Sequence, residues 1–312
     1  EVGVNRFKAS LAEVMTTLNG MIPDGAKVFF AHTMAGGIPK AKVFLAIAHR
    51  IYKGRGERHQ SSDVLLQSDL GKLILMNFDE VSANTFGHLI EASAAIRERV
   101  QHTGGSACYS AYGYHGTVIL IGDAYKWQSY SNYTQGYAKM RLERIAQDAW
   151  AKGVKATVYN CPEIRTNSSD IFSGVELPLF SLLRALRREN GGAWAESIWK
   201  ECAERLNEGE AGLAVVMQRI ADFYASEVMQ RYDNFAAWPM ANSQELADLM
   251  IGASDDLVAM HKDRNALITD LLSTLVIESS GWLMFNESAH PGGPVLWLNH
   301  DLIAQQLNRA HA

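Results

Sequence analysis

The spacing of hydrophobic positions changes near residue 175. From about residue 8 to that point, short apolar runs ending in Gly, Pro or Asn alternate with stretches of helical period. The runs predict buried strands and the stretches predict helices, an alternation typical of an α/β fold with a parallel sheet. Beyond about residue 175 the sequence pattern predicts mostly helix. We therefore divide the chain into a core, residues 1–175, and a helical region, residues 176–312.

Three apolar runs are the strand candidates. "AKVFFAHTMAGG", residues 26–37, ends in two glycines and suits a buried strand whose carboxyl end lets a ligand approach the backbone. "GTVILIGDA", residues 116–124, is a second central-strand candidate, and residues 153–169 predict a third that runs into a proline-containing loop. A long helical pattern occupies residues 78–100. Strands joined through helices end at the same edge of a sheet, so we expect their loops to share a site.

The helical region has its own recognisable parts. Its predicted helices are "LPLFSLLRALRRE", "AWAESIWKECAERLN", "LAVVMQRIADFYASEVMQRY" and "SQELADLMIGASDDLVAMHK". Residues 288–307 predict a turn followed by a short terminal strand or helix. Arg184, Arg187 and Arg188 form a basic cluster on one predicted helix, which we interpret as a solvated face rather than a phosphate site.

Composition narrows the class of protein. The 312 residues are 47% hydrophobic and have a formal net charge of -5, which is too little positive charge for a nucleic-acid partner. No apolar run is long enough to span a membrane, and the first residues do not resemble a signal peptide, so we expect a cytoplasmic protein. Three cysteines without metal-ligand spacing argue against a disulfide framework and a metal site.

The stretch "YSNYTQGYAKMRLERIA" raises a question of pairing between tyrosine and lysine. Residues three or four apart share a helix face, so neither Tyr137 nor Tyr133 faces Lys139 in a regular helix. Tyr130 is nine residues back, about 13 Å of helical rise. Either a loop tyrosine folds back over the first turn, or Tyr137 pairs with Arg141, or there is no pair. A tyrosine beside an ammonium favours its phenolate and can donate a proton to a carbonyl or enolate oxygen.

The order of these segments resembles the second half of a short-chain dehydrogenase/reductase. "GTVILIGDA", the tyrosines and lysine, and "VKATVYNCPEIRTNSS" occur in the sequence of that superfamily's strand, catalytic helix and next strand. "VFFAHTMAGG" looks like its fourth strand with the Asn-Asn-Ala-Gly end, and "SANTFGHLIEA" like the following helix. The resemblance covers residues 8–200, with its clearest motifs from residue 116 to residue 188.

Within the superfamily, the closer resemblance is to the trans-2-enoyl-ACP/CoA reductases of the FabV type. These enzymes have Tyr, eight residues and then Lys, as from Tyr130 to Lys139. Their lysine begins a Lys-x-x-Leu-Asp-Arg motif, to which "KMRLER" is similar, and "TNSSDIFSGVELPLFSLLRAL" is similar to their substrate-loop stretch. Tyr125 lies near the position of a second, upstream tyrosine of that family, although the spacing differs.

The resemblance implies that residues 1–175 form a Rossmann-like reductase core and that residues 176–312 provide substrate-loop helices and a helical extension. It also implies an activity and a set of site residues. It implies hydride transfer from NADH or NADPH to the β-carbon of a fatty-acyl-type enoyl thioester, carried on CoA or acyl carrier protein. Tyr130 would be the proton donor, with Lys139 as its partner. The implied cofactor-binding residues are Ala35, Gly36, Lys139, Ile164 and Thr166.

Two departures from the family pattern keep other functions open. No strand is followed by a G-x-G-x-x-G turn, so we expect the N-terminal nucleotide-binding βαβ unit to be lacking. The helices after about residue 205 have no counterpart in the resemblance. One alternative is therefore a non-catalytic Rossmann-like subunit or scaffold that has lost cofactor binding and associates as a homo-oligomer or with a partner chain. The other is a carbonyl (keto) reductase of the same superfamily.

Overall fold

The computed structural model describes residues 1–33, 62–128, 134–165, 174–237 and 243–312. Four of the predicted site residues, Ala35, Gly36, Tyr130 and Thr166, lie outside these ranges. Lys139 and Ile164 lie inside them.

Six strands and thirteen α-helices make up the described elements of the fold. The strands are β1 Lys27–His32, β2 Ser106–Gly113, β3 Thr117–Ile121, β4 Ala124–Gln128, β5 Lys155–Asn160 and β6 Val295–Trp297. The helices are α1 Val2–Met21, α2 Ser62–Gln67, α3 Asp69–Phe78, α4 Thr85–Ala92, α5 Ala94–His102, α6 Thr134–Ala151, α7 Leu177–Arg188, α8 Ala193–Glu204, α9 Gly209–Ala225, α10 Glu227–Gln230, α11 Gln244–Ala259, α12 Ile268–Ala289 and α13 His300–Ala310. A π-helical turn, Asp79–Asn84, joins α3 to α4, and Phe235–Ala237 is a 3-10 turn.

A four-stranded parallel sheet lies at the centre of the described fold. Its order is β1-β2-β5-β6, with each pair parallel, which confirms the predicted α/β class with a Rossmann-like sheet. Asn160 lies opposite both Gly113 and Trp297, so β2, β5 and β6 end at the same level. The ends of these three strands therefore share one edge, but the strand predicted at residues 116–124, whose end was expected there, is not part of this sheet.

The prediction that "GTVILIGDA" is a central strand was wrong. This run forms β3, which pairs antiparallel with β4 in a separate hairpin, and β2 is the central strand instead. The hairpin strand is apolar because α7 and α13 pack against it, so Ile119 and Leu120 are buried without a place in the central sheet. β2, "SACYSAYG", was not predicted as a strand, because hydroxyl and small residues interrupt its apolar pattern.

The helical pattern at residues 78–100 is broken in two places. It begins in the π-helical turn, and Ser93 then separates α4 from α5. The Ser93 hydroxyl lies 2.7 Å from Leu89 O, to which it donates, and 2.7 Å from the Tyr109 hydroxyl. A side-chain bond of this kind competes with the helical backbone and favours a break.

Two large groups of buried apolar side chains form most of the described core, and a third, small one consists of Ile74, Phe78 and Ala138. One of the large groups lies between α1, α4, α5, α6 and the sheet, and includes Phe30, Val100 and Leu142. The other joins the hairpin to the helical region, and α7 is almost wholly buried within it. Residues 288–307, predicted as a turn and a terminal strand or helix, provide β6 and most of α13, so the helical region adds a strand to the sheet. No helix in the described ranges is long and apolar enough to span a membrane.

Candidate functional site

The candidate site lies at the carboxyl edge of the parallel sheet. His32 ends β1, Tyr114 and His115 follow β2, and Asn160 ends β5. Lys139 approaches the same edge from α6, which packs on β2 and β5. Ligands of open α/β sheets bind in the crevice outside the carboxyl ends of the strands.

Lys139 is the one titratable cation at this edge that the described residues enclose. Its side chain is 1% exposed, and its Nζ donates a 2.7 Å hydrogen bond to Tyr112 O. Burial lowers the pKa of Lys139 to about 8, because an ammonium is poorly solvated there. Its Nζ lies 5.6 Å from the centroid of the Tyr114 ring, within range of a cation–π interaction. The ammonium thus keeps N–H groups that no described residue accepts.

The described tyrosines differ in what surrounds their rings. Tyr114 faces Lys139, as just described, whereas Tyr137 packs on Phe235 with ring centroids 4.8 Å apart. Burial raises the pKa of Tyr137 to about 12. Its predicted alternative partner, Arg141, donates a 2.8 Å hydrogen bond to Asn84 Oδ1 instead. Tyr130 and Tyr133 lie outside the described residues, so the loop pairing of Tyr130 with Lys139 stays a prediction.

Tyr125, compared above with a second tyrosine of the enoyl reductases, belongs to the hairpin. Its hydroxyl donates a 2.9 Å hydrogen bond to Glu189 Oε1, and burial raises its pKa. The basic cluster lies alongside, where Arg188 Nη1 donates to Asp123 O at 2.7 Å and Arg184 forms an ion pair with the Asp123 carboxylate at 3.5 Å. Tyr125 and these two arginines thus hold the hairpin against α7.

His32 is a buried, neutral hydrogen-bonding group at the end of β1. Its Nε2 lies 2.7 Å from Thr85 Oγ1, and the Thr85 hydroxyl donates to Val81 O, also at 2.7 Å. Because that hydroxyl has a single proton, His32 Nε2 must be the donor to Thr85. Burial, followed by the nearby charge of Lys139, lowers the pKa of His32 to about 4. The imidazole is therefore uncharged at neutral pH.

His115, Glu143 and Asn160 form a hydrogen-bonded network beside Lys139. Glu143 Oε1 lies 2.7 Å from His115 Nε2 and accepts a 2.7 Å hydrogen bond from Asn160 Nδ2. The imidazole ring is enclosed by aromatic side chains, with its centroid 4.9 Å from that of Phe235 and 5.1 Å from that of Trp297. Glu143 lies one helical turn beyond Lys139 on α6, so both side chains point to the same side.

Ile164 follows β5 in a loop that is held to the helical region. It is half-buried and packs against the core group that joins the hairpin to the helices. The next residue, Arg165, donates from its backbone N to Ser273 Oγ at 2.6 Å and forms an ion pair with Asp270 at 2.9 Å. These contacts fix the chain immediately before Thr166, which lies outside the described residues.

Sequence patterns identified Lys139 but not the residues around it. His32 and His115 looked like isolated histidines on separate elements, and neither has helical spacing to a metal ligand. Within the described residues no His, Cys, Asp and Glu group could hold a metal ion. Glu143 had a signal, since it stands four residues after Lys139 and therefore shares its helix face. Asn160 and Tyr114 became visible only when the strand ends were brought together.

These features define an α/β protein with a Rossmann-like sheet and a lysine-centred site at its carboxyl edge. The family profile described as "Enoyl-acyl carrier protein reductase FabMG" matches residues 1–307, so the chain belongs to that family. No match was found among curated proteins.

Two solved structures resemble this chain over nearly all of its length. One, the "Apo structure of FabMG, novel types of Enoyl-acyl carrier protein reductase", is 69% identical with a TM-score of 0.94, and the match covers 99% of this chain and 70% of that one. The other, the "NADH bound structure of FabMG, novel type of Enoyl-acyl carrier protein reductase", is 64% identical with a TM-score of 0.77, covering 91% of this chain and 69% of that one.

Proposed function

We propose that this chain is an NADH-dependent enoyl reductase acting on acyl carrier protein thioesters. The observation that carries the proposal is the family match over residues 1–307, together with the 64% identity to the NADH-bound structure of FabMG. Membership in the short-chain dehydrogenase/reductase superfamily, with the FabV type as the closer kin, is part of the same proposal. The parallel order of the sheet and its lysine at the carboxyl edge support it.

The residues at the sheet edge suit a dinucleotide. Lys139 has N–H groups left to bind a ribose hydroxyl, since Tyr112 O accepts its single hydrogen bond among the described residues. Neutral His32 adds no charge to the edge of β1. Bound NADH would supply the hydride that reduces the β-carbon of the substrate. We propose that Ala35, Gly36, Lys139, Ile164 and Thr166 contact this cofactor.

Tyr130 is the proposed proton donor. Reduction at the β-carbon places negative charge on the thioester oxygen, and a phenol there can protonate or stabilise that oxygen. The ammonium of Lys139 favours the phenolate that remains after proton transfer. Tyr114, whose ring faces Lys139, is the rival for this role among the described tyrosines.

Turnover tests the proposal directly. The purified chain is mixed with NADH and a crotonyl thioester of acyl carrier protein, and the loss of NADH absorbance is followed; the CoA thioester and NADPH are run beside them. We expect NADH oxidation that depends on the enoyl thioester, and no oxidation with a keto thioester. Failure of the wild-type chain both to bind and to oxidise NADH would overturn the proposal for this chain.

Single tyrosine substitutions test the residue roles. Tyr130→Phe and Lys139→Met should each lower turnover on the order of 100-fold or more, as removal of a general acid does. Tyr133→Phe and Tyr137→Phe are the matched controls and should retain activity. If Tyr114→Phe is inactive and Tyr130→Phe is active, the proton donor is Tyr114 and our assignment is wrong.

A further inference from the structure

Helix α6 holds the end of β2 at two successive points along one face. Lys139 Nζ donates to Tyr112 O at 2.7 Å, and one turn later Glu143 Oε1 accepts from His115 Nε2 at 2.7 Å. Tyr114, between these anchored residues, has its ring over the lysine ammonium. The strand end from Tyr112 to His115 is thereby fixed relative to Lys139.

The same carboxylate oxygen also ties α6 to β5. Asn160 Nδ2 donates to Glu143 Oε1 at 2.7 Å, and Asn160 is fully buried. A Cβ added at Gly113 would collide with Asn160 Oδ1, so glycine at the end of β2 lets the Asn160 side chain pass towards α6. Glu143 therefore joins one helix to the ends of two strands, at the level where the proposed site lies.

The chemistry of the three groups sets which atom has each proton. An ionised carboxylate only accepts, and an amide donates through its nitrogen, so Asn160 and His115 both donate to Glu143. His115 then has its proton on Nε2 and a lone pair on Nδ1, which finds no donor in the described part of the chain. The imidazole lies there among aromatic rings, and His115 is buried.

We propose that Glu143 is a positioning residue for Lys139: by holding His115 and Asn160, it keeps the β2 end in register with the ammonium that binds cofactor. The inference rests on the proposed function, because it assigns Glu143 a role in that site. Its role is exerted through hydrogen-bond acceptance at Oε1. Its negative charge has no direct part.

Two substitutions distinguish the role of Glu143 as a hydrogen-bond acceptor from the effect of its negative charge. Glu143→Ala removes the acceptor and leaves two buried N–H groups without a partner, and Glu143→Gln keeps an acceptor oxygen at the same distance along the side chain. We expect Glu143→Ala to raise the dissociation constant for NADH and to lower turnover by up to about 100-fold, the scale of a misplaced catalytic group. Glu143→Gln should restore most of both. Asp148→Ala, an exposed carboxylate on the same helix, is the matched control and should behave as wild type.

A double-mutant cycle asks whether the effect passes through Lys139. NADH affinity is titrated directly for wild type, Glu143→Ala, Lys139→Met and the double variant, which needs no turnover. If Glu143 acts through Lys139, the alanine substitution should add little once the lysine is gone. Circular dichroism and the thermal midpoint establish that each variant is folded, and Glu143→Asp, with the carboxylate withdrawn by one methylene, replaces Glu143→Ala if that variant does not fold.

The outcomes distinguish this inference from the proposed function. Equal and independent losses in the cycle, or a Glu143→Gln variant as impaired as Glu143→Ala, would overturn the positioning role while leaving the reductase proposal intact. Absence of NADH binding by the wild-type chain would overturn the proposed function and this inference with it.

Discussion

At the scale of single residues, the buried Lys139 combines a proposed functional role with a stability cost. A fully enclosed ammonium with one described hydrogen bond is less well solvated than in water, which is why burial lowers its pKa from 10.5 to about 8. A group kept in such a place at a cost in stability is a common property of binding and catalytic sites. The cost itself is measurable.

Replacing Lys139 should stabilise the fold at neutral pH. Because the folded pKa lies below the unfolded value, the unfolded chain binds the extra proton between about pH 8 and pH 10.5, so the stability of the wild type rises with pH across that window. Below about pH 8 the lysine is charged in both states, so the full free-energy cost of burying the ammonium remains. We expect Lys139→Met to raise the free energy of unfolding at about pH 7 on the order of 2 kcal/mol, although it lowers turnover.

Urea unfolding of the wild type and of Lys139→Met at several pH values checks the predicted gain in stability. The gain of Lys139→Met over wild type should shrink as pH rises through the window, since the wild-type lysine then becomes neutral in the folded state. Other titrating groups are common to both chains and cancel in the difference. A gain that stays constant with pH would show that the charge is not the cause.

The buried His300 is expected to make the fold less stable in acid. It is fully buried at the start of α13, neither ring nitrogen has a hydrogen-bond partner among the described residues, and burial lowers its pKa to about 3. Below pH 6.5 the unfolded chain therefore binds a proton that the folded chain does not bind, and stability falls as pH drops towards 3. His32, with a pKa of about 4, acts in the same direction.

We expect His300→Leu to reduce this acid sensitivity. The slope of the free energy of unfolding between about pH 6 and pH 4 should fall by about 1.4 kcal/mol per pH unit relative to wild type, the equivalent of one proton. His290→Leu, which replaces an exposed histidine, should leave the slope unchanged. The measurement is the urea midpoint at each pH. Parallel pH curves for His300→Leu and wild type would contradict the expectation.

At the scale of elements, the position of α6 depends on a glycine in its first turn. A Cβ added at Gly136 would lie 2.6 Å from Phe235 Cζ and 3.3 Å from His115 Cβ, so the helix can approach these two residues this closely only without a side chain there. In an open helical site, Gly→Ala instead stabilises by about 0.5–1 kcal/mol. Gly281 in α12 is such a site, with nothing within 4 Å of an added Cβ.

The two substitutions should therefore have opposite effects. Gly136→Ala is expected to lower the thermal midpoint and to reduce NADH affinity, because α6 and Lys139 with it must shift away from Phe235 and His115. Gly281→Ala should raise the midpoint and leave affinity unchanged. Thermal unfolding and NADH titration of both variants supply the check. A stabilised and fully active Gly136→Ala would mean that the packing of α6 does not set the site.

The elements also show what the sequence could and could not predict. β1, β5 and α6 have the periodicities of their structures, so their types were predicted correctly. β3 was taken for a central strand because an apolar run shows burial but not the neighbour that causes it. β2 was missed because Ser110, Tyr112 and Gly113 interrupt its apolar pattern, and their roles come from contacts with distant elements.

The site shows the same limit. Lys139 was found by its spacing from Tyr130, which is a local property of the chain. Its partners Tyr112 and Tyr114 precede it by more than twenty residues, and the hairpin β3–β4 lies between. Only the parallel pairing of β2 with β5 brings Asn160 to the same carboxylate as His115. Contacts between residues this far apart in sequence depend on the order of strands in the sheet, and local periodicity does not predict that order.

At the scale of the whole molecule, the division into residues 1–175 and 176–312 remains a proposal about architecture. The sheet gives it a sharp test, because β6 comes from the second part and completes the first. Val158 N donates to Pro294 O and Leu298 N donates to Asn160 O, each at 2.9 Å. The hairpin likewise buries Ile119 and Leu120 among helices of the second part.

Residues 1–175 alone are therefore expected not to fold cooperatively. Without β6 the edge of β5 exposes unpaired backbone groups, and without α7 and α13 the hairpin exposes apolar surface, both of which favour aggregation. The fragment should bind a hydrophobic dye and show no single urea transition. As a control, the full chain with a protease site in the exposed turn at residues 190–192 should keep its fold after cleavage, because both pieces remain. A soluble, monomeric fragment whose fluorescence and circular dichroism transitions coincide would instead establish residues 1–175 as an independent domain, with β6 an addition to a sheet already stable without it.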